Sequence, residues 1–462
     1  MKSTYLIVLA AVLGTLTSAV SCGPAEKLAR PTDAGKEKPV SALAAMFDTS
    51  AVFSSNLTGF ALYDPADDSM LYAQNEFRYF TPASNTKLFT FYAGLKLLPD
   101  TLPALEYTVR GDSLIFWGTG DPSFLHHDFG VDSVYRFLKN RPENLYYSDA
   151  HFKDELLGPG WAWSDYNYYY SPEKSPFPIY GNVARFTMEQ IELRRVKPTG
   201  RGLAVSPPLL RSHIEASVSK DEDLPILLRG IADNRFEYKP RADTLTYTVD
   251  KPFHYTPELI TKLLSDTLGR PVQYLEMEKP DSVRRLYSIP ADTAYKRMLQ
   301  PSDNFIAEQL LLQIASELGM PLNSRKVIGY VTETYLQDLP DEPQWADGSG
   351  LSRYNMFTPR SIIRLLEKID AEFFYDNEMY QLFPAGGESG TIRNWYGSRD
   401  GGPPYIFAKT GTLRNNHSLS GFVITENGKK LIFSFMNNHY ITPSSVVKEE
   451  MEKVLWYIYK RY

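Results

Sequence analysis

Pro99 closes a helical segment, and beyond it the chain changes character as far as about residue 287. Ahead of it, from Ser84, the apolar residues Leu88, Phe91, Tyr92, Leu95 and Leu98 recur at the spacing of a buried helix face. After it, EYTVRGDSLIFWG reads as a hairpin turning at Gly111-Asp112. A stretch dense in Pro, Gly and aromatics follows, with the strand-like pieces ARFTMEQIEL and TLTYTV, up to the helical PELITKLLSDTLG. Helical texture returns near Ala291 and runs through FIAEQLLLQIASELG. With 462 residues, too many for one ordinary core, this alternation predicts two or three structural units, and no internal repeat is visible.

Outside that stretch the local signals are regular. SALAAMFD reads as a helix, and GFALYD and MLYAQ, separated by the turn-rich PADDS, as a hairpin. SGFVITENGKKLIFSFM alternates around Asn427-Gly428, a strong hairpin signal. Val447, Met451, Val454 and Ile458 then fall on one helix face. Trp456, Lys460 and Arg461 give that helix the look of a membrane-surface element, but packing against the hairpin is the reading taken.

The first residues, MKSTYLIVLAAVLGTLTSAVSC, carry one lysine, an apolar run from Tyr5 to about Leu16, then small residues. The run is shorter than the roughly 20 apolar residues of a membrane span, so it is read as an export signal. Cys22, the single cysteine, follows Ala19-Val20-Ser21, which resembles a bacterial lipoprotein signal in which the cysteine is acylated; Ala19 stands where leucine is more usual. Residues 1–22 are therefore expected to be a lipoprotein-type signal and 23–40 a flexible tether. The remainder is expected to be exported and periplasmic, held at a membrane only through the acyl anchor.

Composition removes some functions. Lys and Arg total 49 against 55 Asp and Glu, a net charge of -6 with no long basic run, which argues against nucleic acid as a partner. Aromatics make up 13% of the chain, and runs such as YNYYYS are suited to sugar stacking, although tyrosines more often rim ordinary cores. His126-His127-Asp128 lacks any His-x-x-x-His or Cys-rich ligand spacing and reads as two loop histidines, not a metal site.

Three polar clusters stand beside apolar elements in a fixed order: Ser84-x-x-Lys87, Ser302-Asp-Asn304 and Lys409-Thr410-Gly411-Thr412. Ser-x-x-Lys alone means little, since it also occurs at Ser171/Lys174, Ser217/Lys220 and Ser445/Lys448; the ordered set is far more specific. A serine hydroxyl needs a neighbour to take its proton. Lys87, one helical turn on, can reach it if burial and nearby positive charge make the amine neutral, and Lys409 is a candidate for that charge. Ser302 can relay the proton to a leaving amine, and Asn304 can hold Lys87 or a substrate amide. The backbone N–H groups of Ser84 and Thr412 would form an oxyanion hole, with Lys409 and the hydroxyls of Thr410 and Thr412 anchoring a terminal carboxylate. Taken singly, Ser84 and Ser302 could be helix N-caps and Lys409 a solvated strand residue.

In PASNTK, PSDN and AKTGTL the chain resembles the D-alanyl-D-alanine carboxypeptidase/endopeptidases among the low-molecular-mass, class C penicillin-binding proteins. GTGDPSF, GPGWAWSDY, DGSGLSRYN and GGESGTIR add to the resemblance, which runs from about residue 45 to the end. From Ser84 to Ser302 is 302 − 84 = 218 positions, the room in which this family carries inserted β-rich domains. The resemblance implies an α/β fold with a penicillin-binding-protein/β-lactamase-like transpeptidase core, an antiparallel sheet flanked by helices, built from 41–100 and 288–462, with 101–287 as a large β-rich insertion. It implies a serine-type D-Ala-D-Ala carboxypeptidase and D,D-endopeptidase acting on peptidoglycan stem peptides, without metal or cofactor and inhibited by β-lactams. It further matches Asp149 to an aspartate that meets the amino group of the peptide's diamino acid and Arg353 to a substrate-side arginine. Two other functions stay open: a non-catalytic peptidoglycan-binding or sensor protein on the same fold, and a serine esterase or β-lactamase.

Overall fold

Strands from both ends of the chain lie side by side in one antiparallel sheet. The structure is a computed structural model and describes residues 39–188, 203–216, 226–239 and 247–462. Cys22 with the rest of the expected signal, nearly all of the tether, the second half of ARFTMEQIEL, the start of TLTYTV and the Ser217/Lys220 pair lie outside the described residues. The sheet order is Ile406–Leu413, Asn416–Ile424, Lys430–Asn438, Leu57–Asp64, Ser69–Gln74. The two hairpins read from sequence are thus neighbours, and Gly428, at φ 80°, lies in the turn of the second.

The inner strands are apolar on both faces because both faces are covered. Along Leu57–Asp64 the period of two sends Ala61 and Tyr63 into one core and Phe60 and Leu62 into another. The first core is filled by helices Lys87–Leu97, Asn304–Glu317, Ser324–Tyr335 and Pro359–Asp370. The second is closed by Pro39–Thr49 and by Ser444–Arg461, whose Val447, Met451, Val454 and Ile458 are all buried, so that stripe is core. An antiparallel sheet flanked by helices is the expected class. Lys87–Leu97 departs from its pattern in one respect: Lys87 through Gly94 are all buried, so the helix is enclosed on every side and not only along one face.

At Asp100 the chain leaves this body, and at Ala291 it returns to the same point, the Ala291 N–H donating to the Asp100 carbonyl at 2.8 Å. The outgoing strand Thr101–Arg110 pairs antiparallel with the returning strand Arg284–Pro290. They belong to a mixed sheet ordered Val272–Tyr274, Asn144–Ser148, Ser113–Gly118, Thr101–Arg110, Arg284–Pro290. The hairpin turns at Gly111-Asp112, as the sequence predicts. Two three-stranded sheets and helix Pro257–Leu268, capped by the Thr256 hydroxyl, enclose a further core around Phe116, Phe177 and Phe186.

Candidate active site

Polar groups from three distant parts of the chain converge on one buried amine. Lys87 Nζ donates to Ser84 Oγ at 3.0 Å, to Asn304 Oδ1 at 2.6 Å and to the Ser349 carbonyl at 2.6 Å, and the side chain has no solvent exposure. Ser84 is not the first residue of the helix but part of a 3-10 turn, Ala83–Thr86, that leads into it. The three-residue spacing brings serine and lysine together in either geometry. Ala83, just before, has φ 49°, and Ser302 has φ 67°, left-handed conformations that cost a non-glycine residue energy and cluster at functional sites.

Helix Asn304–Glu317 is capped by Asp303, whose carboxylate accepts the Ile306 N–H at 3.2 Å. Ser302 is therefore no N-cap, and its hydroxyl instead accepts from Lys409 Nζ at 2.7 Å. Asn85 fastens the Ser84 turn to the edge strand: its Nδ2 donates to the Lys409 carbonyl at 2.7 Å and its Oδ1 accepts from Ser420 at 2.8 Å. The fit is tight enough to require Gly411, where a Cβ would stand 2.1 Å from the Pro82 carbonyl and 3.1 Å from Ser84 N. Ala408 donates its N–H off the open edge of the sheet to Pro384, at 3.0 Å, and the period of two then turns the Thr412 N–H the same way.

Burial pushes the Lys87 amine down to about 8, while Asp347, Asp303 and Glu308 pull it back up. Lys409 is held well below its ordinary value, first by burial and then by the Lys87 charge. Both shifts move the two lysines toward the neutral amine.

A strap formed by Asp347–Asn355 supports Lys87 from below. Asp347 accepts from the Trp161 indole at 2.8 Å, the Gly350 N–H at 2.8 Å, the Ser352 N–H at 2.7 Å and the Asn355 amide at 2.7 Å. Glu308 accepts the N–H groups of Gly348, at 3.1 Å, and Ser349, at 2.8 Å, and burial followed by the Asp347 charge raises its carboxyl to about 7. Gly350, at φ 82°, presses so closely on the turn that a Cβ would lie 1.9 Å from the Ala83 carbonyl. Sequence reasoning assigned no role to Asp347, Glu308, Ser349 or Asn85. The available signals were an acid in the middle of an apolar helix and an acid leading a glycine-rich run.

Above the lysines opens a cleft of about 820 Å³ lined by Ser84, Ser302, Asn304, Arg353 and Thr412, with Tyr169, Tyr170 and Arg414 among its other walls. Arg353 is exposed and has no hydrogen bond or ion pair among the described residues. Two of the expected residues stand apart from the lining of this cleft. The Thr410 hydroxyl pairs with that of Thr391 at 2.7 Å and does not line the cleft, whereas Thr412 does, its hydroxyl 2.9 Å from His417 Nδ1. Asp149 does not line it either; its carboxylate accepts the hydroxyls of Tyr255 and Tyr274, each at 2.8 Å. Of the other serine-lysine pairs, Lys174 binds Asp154 at 2.8 Å and Ser324 at 3.0 Å, not Ser171, and Ser445 sits on the C-terminal helix. His126 packs on Phe129, its Nδ1 accepting the Asp128 N–H at 3.2 Å.

Such a site can activate a serine hydroxyl with a neutral amine and hold an oxyanion at the sheet edge. Comparison with known proteins agrees. The model of the D-Ala-D-Ala carboxypeptidase 3 (S13) family matches residues 41–220 and 230–457. The chain is 24% identical over 421 residues to the D-alanyl-D-alanine carboxypeptidase DacB of Haemophilus influenzae, spanning 83% of this chain and 86% of that protein. It is 24% identical over 439 residues to the D-alanyl-D-alanine carboxypeptidase of an Actinomadura species, spanning 85% of this chain and 80% of that one. Its fold is similar to that of penicillin binding protein 4 (dacB) from Haemophilus influenzae, with a TM-score of 0.71 at 19% identity over 91% of this chain and 99% of the other.

Proposed function

The chain belongs to the D-Ala-D-Ala carboxypeptidase 3 (S13) family, and from that premise we propose that it hydrolyses the terminal D-Ala-D-Ala bond of peptidoglycan stem peptides through an acyl-enzyme on Ser84. The observation that carries this reading is a serine hydroxyl 3.0 Å from a buried amine whose proton is loosened to about 8, beneath a cleft open on that serine. Neutral Lys87 takes the Ser84 proton as Oγ bonds to the carbonyl carbon, and the oxyanion lies between the N–H groups of Ser84 and Thr412. The C–N bond then breaks, the proton passes by way of Ser302 to the departing D-alanine amine, and water later cleaves the ester, restoring Ser84.

The arriving carboxylate also sets the charge state. An anion near Lys409 favours its protonated form, and that new cation disfavours a second one on Lys87, leaving the base neutral when it is needed. The same acyl chemistry extends to D-alanyl cross-links, a D,D-endopeptidase activity, and to β-lactams as inhibitors that acylate Ser84. The expected result is release of D-alanine from a peptide ending in D-Ala-D-Ala and none from its L-Ala-L-Ala counterpart. Folded protein that releases no D-alanine across the neutral and mildly alkaline range overturns the reading.

We propose in addition that residues 1–22 direct export and that Cys22 carries an acyl anchor; the short apolar run ending in small residues before the single cysteine supports it. Wild-type protein is expected in the membrane pellet of expressing cells and Cys22→Ser in the soluble fraction. An unchanged distribution removes the anchor.

A further inference from the structure

The aromatic run beside the cleft is not used by the chemistry above. Within seven positions Trp163 is 77% exposed, Tyr168 52% and Tyr169 68%. Such a concentration of bare rings marks a binding surface more often than chance. Yet the segment carrying them is firmly held. At one end the Trp161 indole donates to Asp347 at 2.8 Å; at the other the Asn304 amide donates to the Tyr170 carbonyl at 2.8 Å. Both anchors are groups that also position Lys87. Underneath, buried Asn167 accepts the Arg229 N–H at 3.1 Å, the Tyr166 hydroxyl donates to the Arg229 carbonyl at 3.1 Å, and the buried Arg229 guanidinium lies 5.2 Å from the centre of the Tyr166 ring. The rings of Tyr168 and Tyr170 are parallel, 5.4 Å apart and inclined by 2°. A surface ordered in advance binds without the entropy cost of organising it.

The ligand follows from composition and place. The rings alternate with Ser164 and Asp165, and the hydroxyls of Tyr168 and Tyr169 make no hydrogen bond among the described residues. Flat apolar faces with free polar edges suit a pyranose, whose C–H face lies on a ring while its hydroxyl and acetamido groups meet the edges. Stacked bases need aromatic faces too, but with cations along the backbone; the one charge within Trp161–Tyr170 is the Asp165 carboxylate, while Arg353 and Arg414 line the same cleft and Lys251 lies 5.9 Å from the centre of the Tyr168 ring. Asp165, Tyr169 and Tyr170 line the cleft that holds Ser84. We propose that Trp161–Tyr170 is a saccharide platform that binds the N-acetylhexosamine strand to which the stem peptide is attached. The identity of the ligand rests on the proposed peptidoglycan activity; the platform itself does not.

The test uses peptide-free strands of alternating N-acetylglucosamine and N-acetylmuramic acid, titrated calorimetrically into the full chain. Wild-type protein should bind, Trp163→Ala should bind about tenfold more weakly or worse, and Trp163→Tyr should keep most of the affinity. In turnover, Trp163→Ala should raise KM for a disaccharide-linked pentapeptide and leave the free pentapeptide unchanged, with unaltered penicillin acylation showing the fold intact. No wild-type binding to the strands, equal binding by Trp163→Ala, equal losses on both peptides, or preference for phospholipid vesicles over glycan would each overturn the platform. Strand binding without D-alanine release would instead sink the proposed activity and leave the platform standing.

Discussion

Incubated with a labelled penicillin, Ser84→Ala protein should show no added mass, where wild-type protein gains one equivalent that survives denaturation. The difference in acylation should be roughly 10⁴- to 10⁶-fold, the scale on which a catalytic serine is missed. The substitution isolates chemistry from folding, because among the described residues the Ser84 hydroxyl bonds to Lys87 alone, which keeps its bonds to Asn304, at 2.6 Å, and to the Ser349 carbonyl, at 2.6 Å. Alanine is also tolerated by a 3-10 turn whose closure depends on backbone groups and Thr86. Persistence of the adduct in Ser84→Ala would move the nucleophile elsewhere, with Ser302, another hydroxyl lining the cleft, as the first place to look. Absence of both adduct and turnover in the wild type would remove penicillin binding altogether.

What could be read from sequence divides along the range of the forces involved. The helix after Ser84, the two hairpins and the order of the three polar clusters were legible because each depends on residues a few positions apart. Ser84 and Lys87 meet whether the turn is α or 3-10, so that error was harmless. The partners of Thr410 and Asp149 were not legible, because Thr391 arrives from a separate loop and the tyrosines that take up the Asp149 carboxylate are 106 and 125 positions away. The lowering of the Lys409 amine likewise depends on tertiary packing, which buries it and brings Lys87 near. Asp347 and Glu308 carried only weak local signals, an acid leading a glycine-rich run and an acid inside an apolar helix. Their work is to accept backbone N–H groups of a strap that exists only once the helix carrying Glu308 is packed beneath it.

The second large effect is a pH dependence. The second-order rate constant for acylation by penicillin, which reports the free protein, should climb about tenfold per pH unit and level off near pH 8, since Lys87 serves as a base only when neutral and its amine is lowered from 10.5 to about 8. The sign follows from the order of causes: burial disfavours the cation and moves the limb down from the ordinary lysine range, while Asp347, Asp303 and Glu308 favour it and keep the limb from falling further. Lys87→Met should lose the limb together with roughly 10²- to 10⁴-fold in rate. Glu308→Gln should move the limb below pH 8, because one of the charges that holds the proton is gone, and should also lower the plateau, because an amide cannot accept both strap N–H groups. A stopped-flow series from pH 6 to 10 distinguishes these effects. A flat profile, or a limb near 10.5, would mean that Lys87 does not take the proton, and the base would then have to be sought at Lys409, which contacts Ser302 at 2.7 Å.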